Sequence, residues 1–173
     1  VTAETLVQRA TQALRAGAAK DAIAVIESAP ASQRNTQMVQ RTLAAAHAQN
    51  GDLPAAQIAI NRALTATPVE PATRALAGRI ALDLKQPANA FVHFEALVQI
   101  APQQMGFWRY LWDAATTEST ARRALHLGES LELDVRADIH VAWAVTRALA
   151  DDGRVTDALA LTEQIVKRHP DSS

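Results

Sequence analysis

The stretch Asn50–Leu64, NGDLPAAQIAINRAL, sets a helix-stopping glycine before an acidic residue and a run of apolar side chains at helical spacing. Gly51 suits the left-handed backbone conformation of a helix C-cap, and Asp52 suits the start of the next helix, where an acceptor meets unpaired N–H groups. Wrapped at 34 residues, the chain repeats this arrangement: Gly17, Gly51 and Gly153 share one register, with Lys85 and Ser119 in the other two places. Five residues beyond each stands an alanine, at Ala22, Ala56, Ala90, Ala124 and Ala158. Pro68, Pro102 and Pro170 hold a third register, with Arg34 and Arg136 at its remaining places. Three of six glycines and three of seven prolines in register exceed what composition supplies, so the unit is a repeated helix hairpin. The glycine ends the first helix, the alanine lets the second lie close against it, and the proline separates one hairpin from the next.

Two further columns mark where the pattern holds and where it lapses. Ile26, Ile60 and Phe94 are bulky at one position that becomes Gly128 and Thr162, while Ala29, Ala63, Leu97, Leu131 and Ile165 stay apolar three residues later. The period, the alanine column and the terminal prolines resemble the tetratricopeptide repeat family. Matching residues are Ala10, Ala44 and Gly78 at the small position of the first helix, where Trp112 and Thr146 depart, and Leu43, Leu111 and Val145 at its leucine-like position, where Arg9 and Ala77 depart. The resemblance implies an all-α fold, a right-handed α-α superhelix (a tetratricopeptide solenoid) of about ten antiparallel helices. It implies one array over 3–172, with repeats near 3–36, 37–70, 71–104, 105–138 and 139–172. Copy four is the degenerate one, and its exchange of Trp112 for a small residue and Gly128 for a bulky one reads either as a compensating pair that bends the array or as drift. On its first helix Trp108, Leu111 and Trp112 form one core-facing stripe, with Phe107 and Tyr110 pointing elsewhere.

Composition narrows the function. The chain has 173 residues, no cysteine, and 17 Lys plus Arg against 18 Asp plus Glu. Near-neutrality gives no accumulated positive field for nucleic acid, and no apolar run reaches membrane-spanning length, so neither nucleic-acid binding nor direct membrane insertion is expected. Thiolate chemistry and cysteine-ligated metals are excluded, and no glycine-rich phosphate loop or His-Glu-x-x-His helix is present. The five histidines, His47, His93, His126, His140 and His169, are scattered, with His47 at a packing position where a satisfied core histidine is expected. No catalysis, cofactor or metal is expected.

In solenoids of this family the first helices line the concave surface. The resemblance therefore implies groove positions at Met38 and Arg41, Arg79, Arg109 and Asp113, and His140, Trp143 and Arg147. Arg41, Arg79, Arg109 and Arg147 form a candidate basic ladder suited to carboxylates of an acidic or C-terminal peptide. The competing reading is that Arg79 and Arg109 pair with Asp83 and Asp113, four residues along their own helices. The carboxylate clamp of chaperone-binding members is absent, since Val7, Thr11, Thr42, Ala72 and Leu76 stand at its positions. Trp143 suits either a ligand anchor or a cover for the last hairpin.

Two functions are expected. One is a non-catalytic protein-interaction scaffold holding a peptide or protein segment in its groove. The other is a structural or spacer segment of a larger bacterial cell-envelope assembly, such as a secretion or exopolysaccharide export protein. The compartment stays open between cytoplasm and periplasm, with the periplasm tied to the second reading. Terminal repeats expose an apolar face unless capped, and VKRHPDSS (166–173) leaves no residues for a cap. Neighbouring domains of a longer protein, which a start at Val1 also fits, or a second copy of the chain are expected to cover it.

Overall fold

The computed structural model describes residues 2–168; His169 and Pro170 lie outside the described residues. Among these the secondary structure is helical throughout: α1 (Ala3–Arg15), α2 (Ala19–Glu27), α3 (Ala31–Arg34), α4 (Gln37–Gln49), α5 (Leu53–Ala63), α6 (Pro71–Asp83), α7 (Pro87–Ile100), α8 (Met105–Ala114), α9 (Glu118–Ser130), α10 (Ile139–Asp151) and α11 (Val155–Arg168). α3 is a single extra turn opened by Pro30, and a 3-10 turn at Val135–Ala137 precedes α10. The first helices start at Ala3, Gln37, Pro71, Met105 and Ile139, a constant 34 residues apart. The chain divides into two compact units, Val1–Gln86 and Pro87–Ser173.

In the first unit, α1 to α6, antiparallel hairpins enclose Leu6, Ala10, Ile26, Val39, Ala44, Ala56, Ile60 and Ala63. Alanine at the crossings brings α4 and α5 close enough to make the most extensive helix pair of this unit. Asp52 opens α5 by accepting a hydrogen bond from the Ala55 N–H at 3.1 Å. Each hairpin turn has one backbone solution. The residue after the C-cap takes a left-handed conformation, with φ of 76° at Gly17 and 82° at Gly51, and the next N–H reaches back along the helix, Ala18 to the Ala13 carbonyl and Asp52 to the His47 carbonyl, both at 2.9 Å. Lys85 adopts the same turn with φ of 60°, and the Gln86 N–H closes on the Ala81 carbonyl at 2.8 Å. The turn therefore outlives its glycine, at the steric cost of a Cβ in the left-handed region.

In the second unit, α7 to α11, the sealed centre comprises Phe91, Phe94, Leu97, Trp108, Leu111 and Val141. Trp108 is fully buried because its Nε1–H donates to the Pro102 carbonyl at 2.8 Å. Tyr110 does not point away from the packing: its ring stacks on buried Phe94 with centroids 4.9 Å apart. The Gly153 turn repeats the left-handed conformation at φ of 82°, and Arg154 N–H closes on the Leu149 carbonyl. α11 then begins at Val155, so Asp157 sits inside its first turn and accepts from Arg154 at 2.9 Å rather than capping it.

Copy four breaks the pattern at a definable place. Ser119, in the glycine register, lies within the first turn of α9, because Thr117 starts that helix early through a reciprocal cap with Thr120. α8 consequently stops after ten residues, where α4, α6 and α10 run thirteen. The left-handed residue appears one helix later, at Glu132 with φ of 52°, where Leu133 N–H closes on the Gly128 carbonyl.

Two pairs of successive first helices, α4 with α6 and α8 with α10, are each joined by an ion pair that recurs in register. Arg41 on α4 pairs with Glu70, the residue opening α6, and Arg109 on α8 pairs with Asp138, the residue opening α10. Gln37 adds to the first joint, its Oε1 accepting from the Glu70 N–H and the Thr73 hydroxyl while its Nε2 donates to the Pro68 carbonyl. Asp138 also caps α10, accepting from Val141 N–H at 3.1 Å. Burial works against this carboxylate, but the hydrogen bonds from Arg109 and the Val141 N–H outweigh it and hold its pKa below the usual carboxylate range.

Lys85→Gly removes a side chain from the left-handed region and is expected to stabilise by about 0.5–1 kcal/mol, whereas Gly51→Ala destabilises by about 1 kcal/mol; urea-unfolding midpoints at unchanged slope check both. Because the Asp138 carboxyl titrates lower folded than unfolded, its contribution is present above about pH 4 and lost as pH falls through the folded value. Asp138→Asn retains a cap but not the charge; it is expected to cost about 1 kcal/mol at neutral pH and to flatten the acid limb of the stability curve.

Candidate functional site

The expected groove residues separate once their partners are known. Arg41 and Arg109 hold the next first helix, so the pairing of Arg109 with Asp113 does not occur; Arg109 Nε donates to Asp138 at 2.6 Å instead. Arg79 on α6 and Arg147 on α10 occupy a register one helical turn along; both are exposed and, among the described residues, neither makes an ion pair, so Arg79 does not pair with Asp83. Of the four arginines, Arg41 and Arg109 are thus ion-paired and Arg79 and Arg147 make no ion pair among the described residues. In the first unit Met38 is half-buried on α4.

The second unit gathers the remaining candidates. His140, Trp143 and Arg147 are spaced three and four residues apart along α10 and share one face. Across from them on α8, Asp113 Oδ1 lies 3.0 Å from His140 Nε2, a hydrogen bond that orients the ring. These residues and Trp112, Ala115, Thr116 and Ala144 line a cleft of about 470 Å³. Trp143 keeps 37 % of its surface exposed, leaving a broad apolar face over the cleft.

The cleft runs on, over Trp112, Ala115, Thr116, Ala144 and Arg147, into a cavity of about 640 Å³ bounded by Thr117, Glu118, Arg122, Ala148, Asp151 and Asp152. This space faces the second half of α10 and is bordered by 115–117, which run between the helices without helical structure. Arg122 is held there by Asp152 at 2.8 Å and Glu118 at 2.7 Å, and these contacts raise its pKa, the Asp152 hydrogen bond foremost. Arg147 and Asp151 make no ion pair among the described residues. The early stop of α8 was not expected from the repeat register. Its signal is the Thr117-x-x-Thr120 pattern in TTEST, a helix start placed before the register predicts one.

Other readings resolve more simply. No group of three or more metal-ligating side chains occurs among the described residues, and no helix there is long and apolar enough to cross a membrane. His47 is packed but not satisfied: its Nδ1 is buried without a hydrogen-bond partner. Trp112 does not fill the space vacated at Gly128, because both border a remaining cavity of about 190 Å³.

No protein-family model and no curated protein matches the chain. Solved structures do match over nearly its whole length. YrrB, a tetratricopeptide-repeat protein with an unusual peptide-binding site, is similar with a TM-score of 0.80 at 14% identity, covering 96% of this chain and 86% of that one. MamA of AMB-1 gives a TM-score of 0.80 at 15% identity over 99% and 93%. MamA of Desulfovibrio magneticus RS-1 gives 0.74 at 17% identity over 99% and 97%. At these identities the likeness establishes architecture: the chain has an all-α, tetratricopeptide-like repeat fold, closely matching that of the MamA structures.

Proposed function

We propose that this protein is a non-catalytic scaffold that holds a peptide segment of a partner protein in the cleft between α8 and α10. The observation that carries the reading is the exposed ring of Trp143 set between His140 and Arg147 on one helical face, over a cleft whose other wall is α8. An indole there buries large area at small entropic cost, which suits a binding anchor. Arg147, which makes no ion pair among the described residues, supplies a forked donor for a carboxylate, so an acidic side chain or a C-terminal carboxylate is the chemistry read beside the anchor. Arg79 is the corresponding available cation of the first unit. The peptide-binding site of YrrB, on a fold of the same kind, supports the class of ligand.

The second reading, a segment that assembles a larger bacterial envelope machine, is supported by a different face. Val155, Leu159 and Val166 are exposed in helical register along α11 and suit packing against another protein surface.

Selection from a random peptide display library against the immobilised full chain tests the cleft. Selected peptides are expected to carry an apolar residue near an acidic one, to lose about 2 kcal/mol of affinity with Trp143→Ala and about tenfold with Arg147→Glu. A library that yields no binder, or binders indifferent to both substitutions, overturns the proposal.

A further inference from the structure

The column that holds buried Ile26, Ile60 and Phe94 has Gly128 in copy four. A Cβ built there would already be in van der Waals contact with Leu133, Cδ2 at 3.5 Å and Cβ at 3.8 Å, and with Trp108 Cζ3 at 3.9 Å, so it fits without a clash and the free volume lies beyond it. A cavity of about 190 Å³ remains, walled by Leu125, Leu133, Val145, Leu149 and Leu161. It is open to solvent, as its walls show: Leu125, Val145, Leu149 and Leu161 are 6–8 % exposed, whereas neighbouring Trp108, Leu111 and Val141 are fully sealed. An apolar cavity of about 150 Å³ is large enough to take a benzene ring.

The mouth adds a charge preference. Glu129, Glu132 and Arg154 border it. Arg154 is already shared by Glu129 at 2.5 Å and Asp157 at 2.9 Å, and these bonds raise its pKa. Glu132 projects from the left-handed turn at the end of α9 and, among the described residues, has no ion pair. The rim thus holds two carboxylates, Glu129 and Glu132, and one guanidinium already bonded to Glu129 and Asp157, so it is net negative beside an apolar hollow.

We propose that the cavity beside Gly128 is a binding site for an apolar group of about phenyl size carrying a positive charge at its outer end, a small hydrophobic ammonium. The apolar part takes the place of the missing side chain of the repeat, and the charge rests against Glu132. The site shares the Trp112 side chain with the Trp143 cleft as a common wall but is lined neither by Trp143 nor by Arg147.

The test titrates 2-phenylethylammonium, ethylbenzene and phenylacetate into the intact protein and follows the methyl resonances of Leu125, Val145 and Leu149. The ammonium is expected to shift these signals and to bind more tightly than ethylbenzene, with phenylacetate weakest. Gly128→Ile, which restores the bulky residue, is expected to weaken it at least about tenfold, and Glu132→Gln about threefold. Gly128→Ala fills the cavity only partly and keeps the backbone, so a graded loss across Ala and Ile separates filling from misfolding. Trp143→Ala leaves the binding unchanged. Absence of methyl shifts with the ammonium, equal binding of the ammonium and phenylacetate or ethylbenzene, or undiminished binding to a folded Gly128→Ile variant overturns the proposal.

Discussion

The last carbonyls of an α-helix have no partner within the helix, and a chain that must reverse at once has to satisfy them while changing direction. Here that is done by one residue in the left-handed conformation, whose successor's N–H reaches back to a carbonyl of the last helical turn, at Gly17, Gly51, Lys85 and Gly153. This constraint governs the rest of each hairpin. A fixed reversal fixes where the second helix begins, and hence which face meets the first; within the units the alanine five residues beyond Gly17, Gly51 and Gly153 becomes the contact point, and Ala22, Ala56 and Ala158 are buried. Lys85 shows that the geometry is demanded by the hairpin rather than conferred by glycine. Its neighbours supply the closing hydrogen bond whether or not the residue is comfortable there.

Copy four shows what happens when a stronger local signal competes. The reciprocal Thr117–Thr120 cap begins α9 before the expected turn, so α8 loses its last turn and the left-handed residue reappears after α9. Two local consequences accompany this. A space adjoins the second half of α10, extending the cleft lined by Trp143 and Arg147, and the seam at Gly128 stays unfilled. The second unit thus sets an irregular stretch of backbone beside the exposed side chains of the Trp143 cleft, a common association in proteins whose regular elements are rigid.

Charge on the first helices is divided by the same register. The position of Arg41 and Arg109 lies within reach of the residue that opens the next first helix, and an acid there, Glu70 or Asp138, captures the arginine. One turn further along, Arg79 and Arg147 make no ion pair among the described residues. In copy five the capturing register is occupied by Trp143, which leaves an exposed ring where copies two and four have a bonded cation.

The helix class, the 34-residue spacing of the first helices and the buried columns were legible along the chain, because they depend on local backbone preference and on the periodicity of apolar side chains. The same register placed Asp113, His140, Trp143 and Arg147 on first helices. Nothing in that register revealed that Arg109 prefers Asp138 to Asp113, that Tyr110 stacks on Phe94, or that Trp112 leaves the Gly128 space open. Those outcomes belong to the packed molecule. Which of several chemically equivalent partners a side chain meets, and whether a volume lost in one column is regained from another, depend on distances between helices that no single helix encodes.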